Sequence, residues 1–157
     1  MIRLSRMADY AVVLMTRMAQ DQEAVHNAFD MSGATGVPTP TVSKVLATLA
    51  RHGLLHSVRG AKGGYRLAAR PQDISVAEII SVIDGPIALT QCIEHAPGVC
   101  EIESLCPCRE PWQVINDVVR RSLEAVSLAD IAAPMPSFPA FAHRGRGAPR
   151  IASGSHG

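Results

Sequence analysis

Apolar residues recur at helical spacing in four stretches of this chain. Ala8, Ala11, Val12, Met15 and Ala19 predict a helix over 6–20 with one apolar face. Ser5 can cap it, and Asp9 lies in its first turns, where the helix dipole favours an acid. A polar connection over 21–26 leads to a weaker helix over 27–35, weakened by Gly33. Gly36-Val37-Pro38 reads as a turn. Val42, Val45, Leu46 and Leu49 then mark a helix running to about residue 52. Thr39 is its predicted cap, Pro40 suits its first turn, and Gly53 closes it. Ile74, Ala77, Ile79, Ile80 and Ile83 mark another, from near Ser75 to Gly85-Pro86.

The longest predicted helix runs from Pro111 to about Val126. Trp112, Ile115, Val119, Ser122 and Val126 are spaced 3, 4, 3 and 4 along it, with Val118 and Leu123 beside them. That near-heptad stripe is wider than one small domain requires, so it predicts pairing with a copy of itself. Short β runs occupy 54–58 and 65–68, around the basic turn Gly60-Ala61-Lys62-Gly63-Gly64. Gly63 and Gly64 are read as allowing positive φ in that turn. Two helices joined by a short Gly-containing turn and followed by a hairpin describe a winged helix-turn-helix. The expected fold is therefore mainly α with a small β-hairpin wing and a long C-terminal dimerisation helix. Residues 1–70 form the DNA-binding unit in this reading. Residues 71–131 hold a cysteine loop and the dimer helix. Residues 132–157, rich in Pro, Gly, Ser, Ala and Arg, are expected to be a disordered tail.

Charge sharpens this picture because it is divided along the chain. Residues 1–70 carry nine Lys/Arg against four Asp/Glu, while 71–130 carry three against ten. From Met31 to Gln72 there is no carboxylate but there are six Lys/Arg. Such a stretch suits a surface that lies against a polyanion. In a helix-turn-helix the start of the second helix reaches base edges, which singles out Thr39, Thr41, Ser43 and Lys44. Their hydroxyls can bond bases or phosphates, and a Thr methyl can pack on thymine. Arg59 and Lys62 stand on the wing, and Arg51 and Arg66 are candidates for phosphate contact. No apolar run approaches the roughly 18 residues of a membrane span. The N-terminus has no signal-peptide core, so a cytoplasmic location is expected.

The four cysteines, Cys92, Cys100, Cys106 and Cys108, fall in one 17-residue window. In a cytoplasmic chain such clustering favours metal or redox chemistry over a disulfide framework. Seven and five residues separate the first three, unlike the short C-x₂-C knuckles of structural zinc. Soft thiolates suit iron–sulfur clusters. A zinc-stabilised or cluster-free regulator is the alternative. A thiol redox enzyme is a weaker one, because the chain shows no nucleophile-and-base motif and no C-x-x-C.

These features together resemble one family. Its signature here is Arg3-Leu4-Ser5-Arg6-Met7-Ala8-Asp9-Tyr10-Ala11, then Thr41-Val42-Ser43-Lys44-Val45-Leu46. The wing Arg59-Gly60-Ala61-Lys62-Gly63-Gly64-Tyr65 and the three-cysteine spacing complete it. The chain resembles the IscR-type winged-helix regulators over about residues 1–131. Gly85 to Cys92 and Cys100 to Cys106 look closest to the regulators of SUF iron–sulfur assembly operons. The resemblance implies a homodimer on double-stranded operator DNA, with Arg59 in a minor groove. It implies Cys92, Cys100 and Cys106 as ligands of a [2Fe-2S] or [4Fe-4S] cluster. Some relatives place a histidine three positions after the third cysteine, where Arg109 stands here. That leaves Asp9, contributed by the partner subunit, or Cys108 as the candidate fourth ligand. His95 is better read as facing solvent.

Overall fold

The computed structural model describes residues 3–90, 93 and 106–133. Cys92, Cys100, His95 and residues 134–157 lie outside them. The chain runs α1 (Arg6–Ala19), α2 (Ala28–Thr35), α3 (Thr39–Arg51), β1 (Leu55–Val58) and β2 (Gly64–Leu67). A 3₁₀ turn (Pro71–Asp73), α4 (Val76–Asp84), α5 (Arg109–Glu124) and α6 (Leu128–Ala132) follow. It is the predicted winged helix-turn-helix with a long helix after it.

Local chemistry sets most of the boundaries. Ser5 Oγ accepts the Ala8 N–H at 3.1 Å and starts α1. Asn27 Oδ1 accepts the Asp30 N–H at 2.9 Å and starts α2. At the end of α3, the Gly53 N–H bonds the Ala50 carbonyl and the Leu54 N–H bonds the Leu49 carbonyl. Gly53 has φ +82°, so this is the left-handed closure the sequence predicted.

Three expectations need correction. Thr39 does not cap α3. Pro38 precedes the helix, and its carbonyl already accepts from Thr41 at 2.9 Å and Val42 at 3.0 Å, so Thr39 lies within the first turn. The long helix begins two residues before Pro111 and ends at Glu124. Pro111 is then the third helical residue, a position where an N–H would have no acceptor within the helix, so proline's missing donor costs nothing there. Val126 lies outside α5, and α6 follows as a separate helix. Finally, Gly63 and Gly64 do not have positive φ; Gly60 does, at +119°. The later pair is small because of close approach. A Cβ on Gly63 would stand 2.6 Å from the Val58 carbonyl oxygen, and one on Gly64 2.5 Å from that of His26.

The strands pair antiparallel, with Leu55 opposite Leu67 and His56 opposite Arg66. A bridge the sequence did not reveal joins His26 to Tyr65, with two backbone bonds of 2.9 Å. It pins the hairpin to the segment ahead of α2. Leu14, Met15, Met18, Met31, Val42, Val45, Leu46, Leu49 and Leu55 form the centre of the core. Ile74, Ile79 and Leu128 belong to the same cluster, so the core extends past residue 70 into the C-terminal half.

Candidate nucleic-acid interface and thiol site

The recognition helix divides cleanly. Val42, Val45, Leu46 and Leu49 are fully buried and hold α3 against α1 and α2. Pro40, Ser43, Lys44 and Arg51 are exposed, while Thr39 and Thr41 are half-buried at the helix start. Helical spacing puts Pro40, Ser43, Lys44 and Arg51 on one outward strip. Thr48 lies just behind it, where its Oγ1 donates to the Lys44 carbonyl at 2.9 Å and accepts from Arg51 at 3.1 Å. Arg59 and Lys62 are exposed at the tip of the hairpin, whose β1 packs on α3. The predicted DNA-facing residues thus belong to two adjoining elements.

The cations differ in availability. Arg70 is engaged by Asp73 at 2.8 Å, and Arg120 by Glu124 at 2.7 Å and Asp117 at 3.4 Å. Hydrogen bonds to those carboxylates, then their charge, push both guanidinium pKa values up. Among the described residues, Lys44, Arg51, Arg59, Lys62 and Arg66 make no ion pair. Their charge is free to meet phosphate, as expected of a surface without acids.

The thiol site is described in part. Cys106 is half-buried and Cys108 is exposed at the start of α5; both are free thiols. Asp9 is exposed on the first turn of α1. It borders a depression of about 860 Å³ with Arg3, Leu4, Ser5, Arg6 and Asp84. Ser5 donates to Asp84 from its backbone N–H at 3.2 Å and from its hydroxyl at 2.5 Å, tying α1 to the end of α4. Among the described residues, no three of His, Cys, Asp and Glu come together as a metal site. Cys92 and Cys100, two of the three predicted ligands, lie outside those residues.

One residue here escaped the sequence reading. Among the described residues Asn116 is the one buried polar side chain, 5% exposed. Its Oδ1 accepts the Leu89 N–H and its Nδ2 donates to the Ile87 carbonyl, both at 3.0 Å. This clasp joins the stretch leading toward Cys92 to the helix that follows Cys106. An amide one turn from Trp112 and Val119, beside an apolar stripe, was the available signal.

That helix leaves an apolar surface uncovered. Trp112, Val114, Ile115 and Val118 are 39–64% exposed. Val119, Ser122 and Val126 of the predicted stripe are instead half-buried. Val119 and Leu123 line a groove of about 610 Å³ with Leu4, Ile80 and residues 85–90.

A scan of known families matches residues 4–134 to the Rrf2 model, described as an iron-dependent transcriptional regulator. This chain belongs to the Rrf2 family. The chain is 29% identical over 131 residues to IscR of Aliivibrio salmonicida, covering 83% of this chain and 77% of that protein. It is 26% identical over 147 residues to NsrR of Geobacillus kaustophilus, covering 93% and 100%. The solved structure of CymR, the global cysteine regulator of B. subtilis, superposes with a TM-score of 0.67 at 27% identity, covering 84% and 97%. The Rrf2 membership bears out the IscR-type resemblance and the winged-helix fold. The protein is a DNA-binding transcriptional regulator, and its family is not enzymatic. No helix among the described residues is long and apolar enough to cross a membrane.

Proposed function

We propose that this Rrf2 regulator is a homodimeric iron–sulfur sensor that represses genes of SUF iron–sulfur cluster assembly. Thr39, Thr41, Ser43 and Lys44 meet the major groove of operator DNA in this reading. Arg59 enters the adjacent minor groove, where a narrow A·T-rich sequence concentrates negative potential, and Lys62 assists at the wing. Two subunits paired through the exposed α5 face would set two recognition helices one or more DNA turns apart.

The observation that carries the sensor reading is the thiol window. Four cysteines crowd residues 92–108 in a chain whose family is described as iron-dependent. The described donors suit such a group. Cys106 and Cys108 are free thiols, and they stand at the start of α5, where the positive end of the helix dipole favours an anionic centre. Cys92, Cys100 and Cys106 would hold the cluster, with Asp9 of the partner subunit or Cys108 completing it. A carboxylate in the fourth position would make the cluster labile, which suits a sensor, whereas Cys108 there would give the ordinary four-thiolate set. The cluster would supply a removable link between the cysteine segment and the helices around it.

The test is anaerobic purification followed by visible absorption and assay of iron, sulfide and zinc. Charge-transfer absorption with iron and sulfide in proportion is the expected result and gives the cluster type. A colourless protein that resists reconstitution would remove the cluster from the mechanism. Zinc without sulfide would make the cysteine segment a structural clamp.

A further inference from the structure

Two six-residue stretches, far apart in the chain, share one pattern. Ile74-Ser75-Val76-Ala77-Glu78-Ile79 and Val126-Ser127-Leu128-Ala129-Asp130-Ile131 both read apolar, Ser, apolar, Ala, acid, Ile. The fold brings them face to face. Ser75 and Ser127 are partners in an antiparallel bridge. The Val76 N–H donates to the Val126 carbonyl at 2.9 Å, and the Leu128 N–H donates to the Ile74 carbonyl at 2.8 Å. Exchanging the two stretches maps one bond onto the other.

Each stretch also caps its own helix. Ser75 Oγ accepts the Glu78 N–H, and Ser127 Oγ accepts the Asp130 N–H, both at 3.2 Å. The acids return to the cap N–H groups at 2.7 and 2.8 Å. A helix start leaves four N–H groups without intrahelical partners. Here the first is taken by the opposite stretch and the third by the helix's own serine. The start of α4 therefore completes the start of α6, and the reverse.

This explains why α6 exists. A five-residue helix does not hold in isolation, but its Leu128 is fully buried in the core with Leu14, Leu49 and Ile79. The pair also determines where α5 is anchored. That helix ends at Glu124, two residues before Val126, while α4 packs on α1 and α3.

We propose that the reciprocal pair is a latch that fixes the C-terminal end of α5 to the helix-turn-helix core and sets the angle at which α5 leaves it. Its effect on operator binding rests on the reading of α5 as the dimer helix. In a dimer paired through α5, that angle governs the separation of the two recognition helices. Ser75, Val76, Ser127 and Leu128 are then positioning residues for DNA binding without touching DNA.

Two full-length variants test this. Val76→Pro deletes one cross-bond while preserving α4. Proline suits the first helical position, and Ser75, at φ −89° and ψ 155°, already has the extended conformation a residue before proline adopts. The second, Ser127→Ala with Asp130→Ala, removes the α6 cap and leaves the core side chains unchanged. Hydrogen exchange at amides 129–133 should accelerate roughly tenfold in both, with α1 and α3 as protected as before. Affinity for an operator with two half-sites should fall about tenfold, and affinity for a single half-site should hold. Unchanged exchange in α6, or equal losses on both DNAs, would overturn the latch. Sedimentation of the same samples separates the two ideas. A monomeric wild type overturns the dimer reading, and the exchange rates then decide the latch alone.

Discussion

Asn116 and Arg59 show how differently single residues carry this protein. Asn116 has both ends of its amide committed to backbone, at Ile87 and Leu89. Replacing it by leucine keeps the branched shape and heavy-atom count but leaves a carbonyl and an N–H without partners in a half-buried loop. Asn116→Leu should therefore lower stability by roughly 1–3 kcal/mol, read from the denaturation midpoint at unchanged slope. Arg59, by contrast, is exposed at the hairpin tip and supports nothing in the fold. Arg59→Ala should leave the melting temperature unchanged. It should weaken operator binding by about 1–3 kcal/mol and reduce the salt slope by about one, measured by titrations at several ionic strengths. Equal affinity for both proteins at every salt concentration would place this arginine in solvent.

At the level of elements, α5 and α6 carry the sharpest expectations. Val118 is 60% exposed on α5 and meets water in the single chain. If α5 forms the proposed dimer, Val118→Glu should leave the circular dichroism spectrum intact and yield monomers in sedimentation, because a charge would be buried against the partner helix. For α6 the relevant group is Asp130. Hydrogen bonds from the Ser127 hydroxyl and backbone hold its carboxyl below the ordinary carboxylate range. A carboxylate with a depressed folded value stabilises above its unfolded value of about 3.9, and loses that effect as pH falls through the folded value. The α6 amides should accordingly lose protection on acidification below about pH 4, before the α1 amides do. Asp130→Asn should flatten that difference.

For the whole molecule, the proposed sensor reading requires the thiol window to be coupled to the DNA-facing surface. In sequence the cysteines lie between the 87–89 stretch and α5, which Asn116 joins, and the Ser75–Ser127 bridge follows the far end of α5. If cluster occupancy biases the arrangement of two subunits, a difference of about 3 kcal/mol between states would change operator affinity roughly a hundredfold. Cys92→Ala should then bind the operator equally with and without oxygen, at the cluster-free affinity of wild type. A mutant that still switches with oxygen would move the sensing away from this cysteine.

Much of this was written in local sequence. Amphipathic spacing located α1, α3 and α4, because burying one face of a helix leaves a 3.6-residue period in any chain. The Gly-rich basic turn located the wing, and the acid-free stretch from Met31 to Gln72 marked the surface suited to DNA. Fold class and family were legible for that reason. What remained hidden depended on contacts between distant residues, which no local pattern encodes. Thr39 is not a cap because Pro38 supplies the carbonyl for the first turn. Gly63 and Gly64 are small because the Val58 and His26 carbonyls lie against them; the positive φ of the turn falls at Gly60 instead. The apolar face of α5 is centred on Val114 and Val118 because Val119 and Leu123 turn toward Ile80 and the 85–90 stretch. Ser75 marked the start of α4 in local sequence, but α6 was not among the predicted helices, and the meeting of Ser75 with Ser127, each stretch completing the other, was decided by the tertiary fold alone.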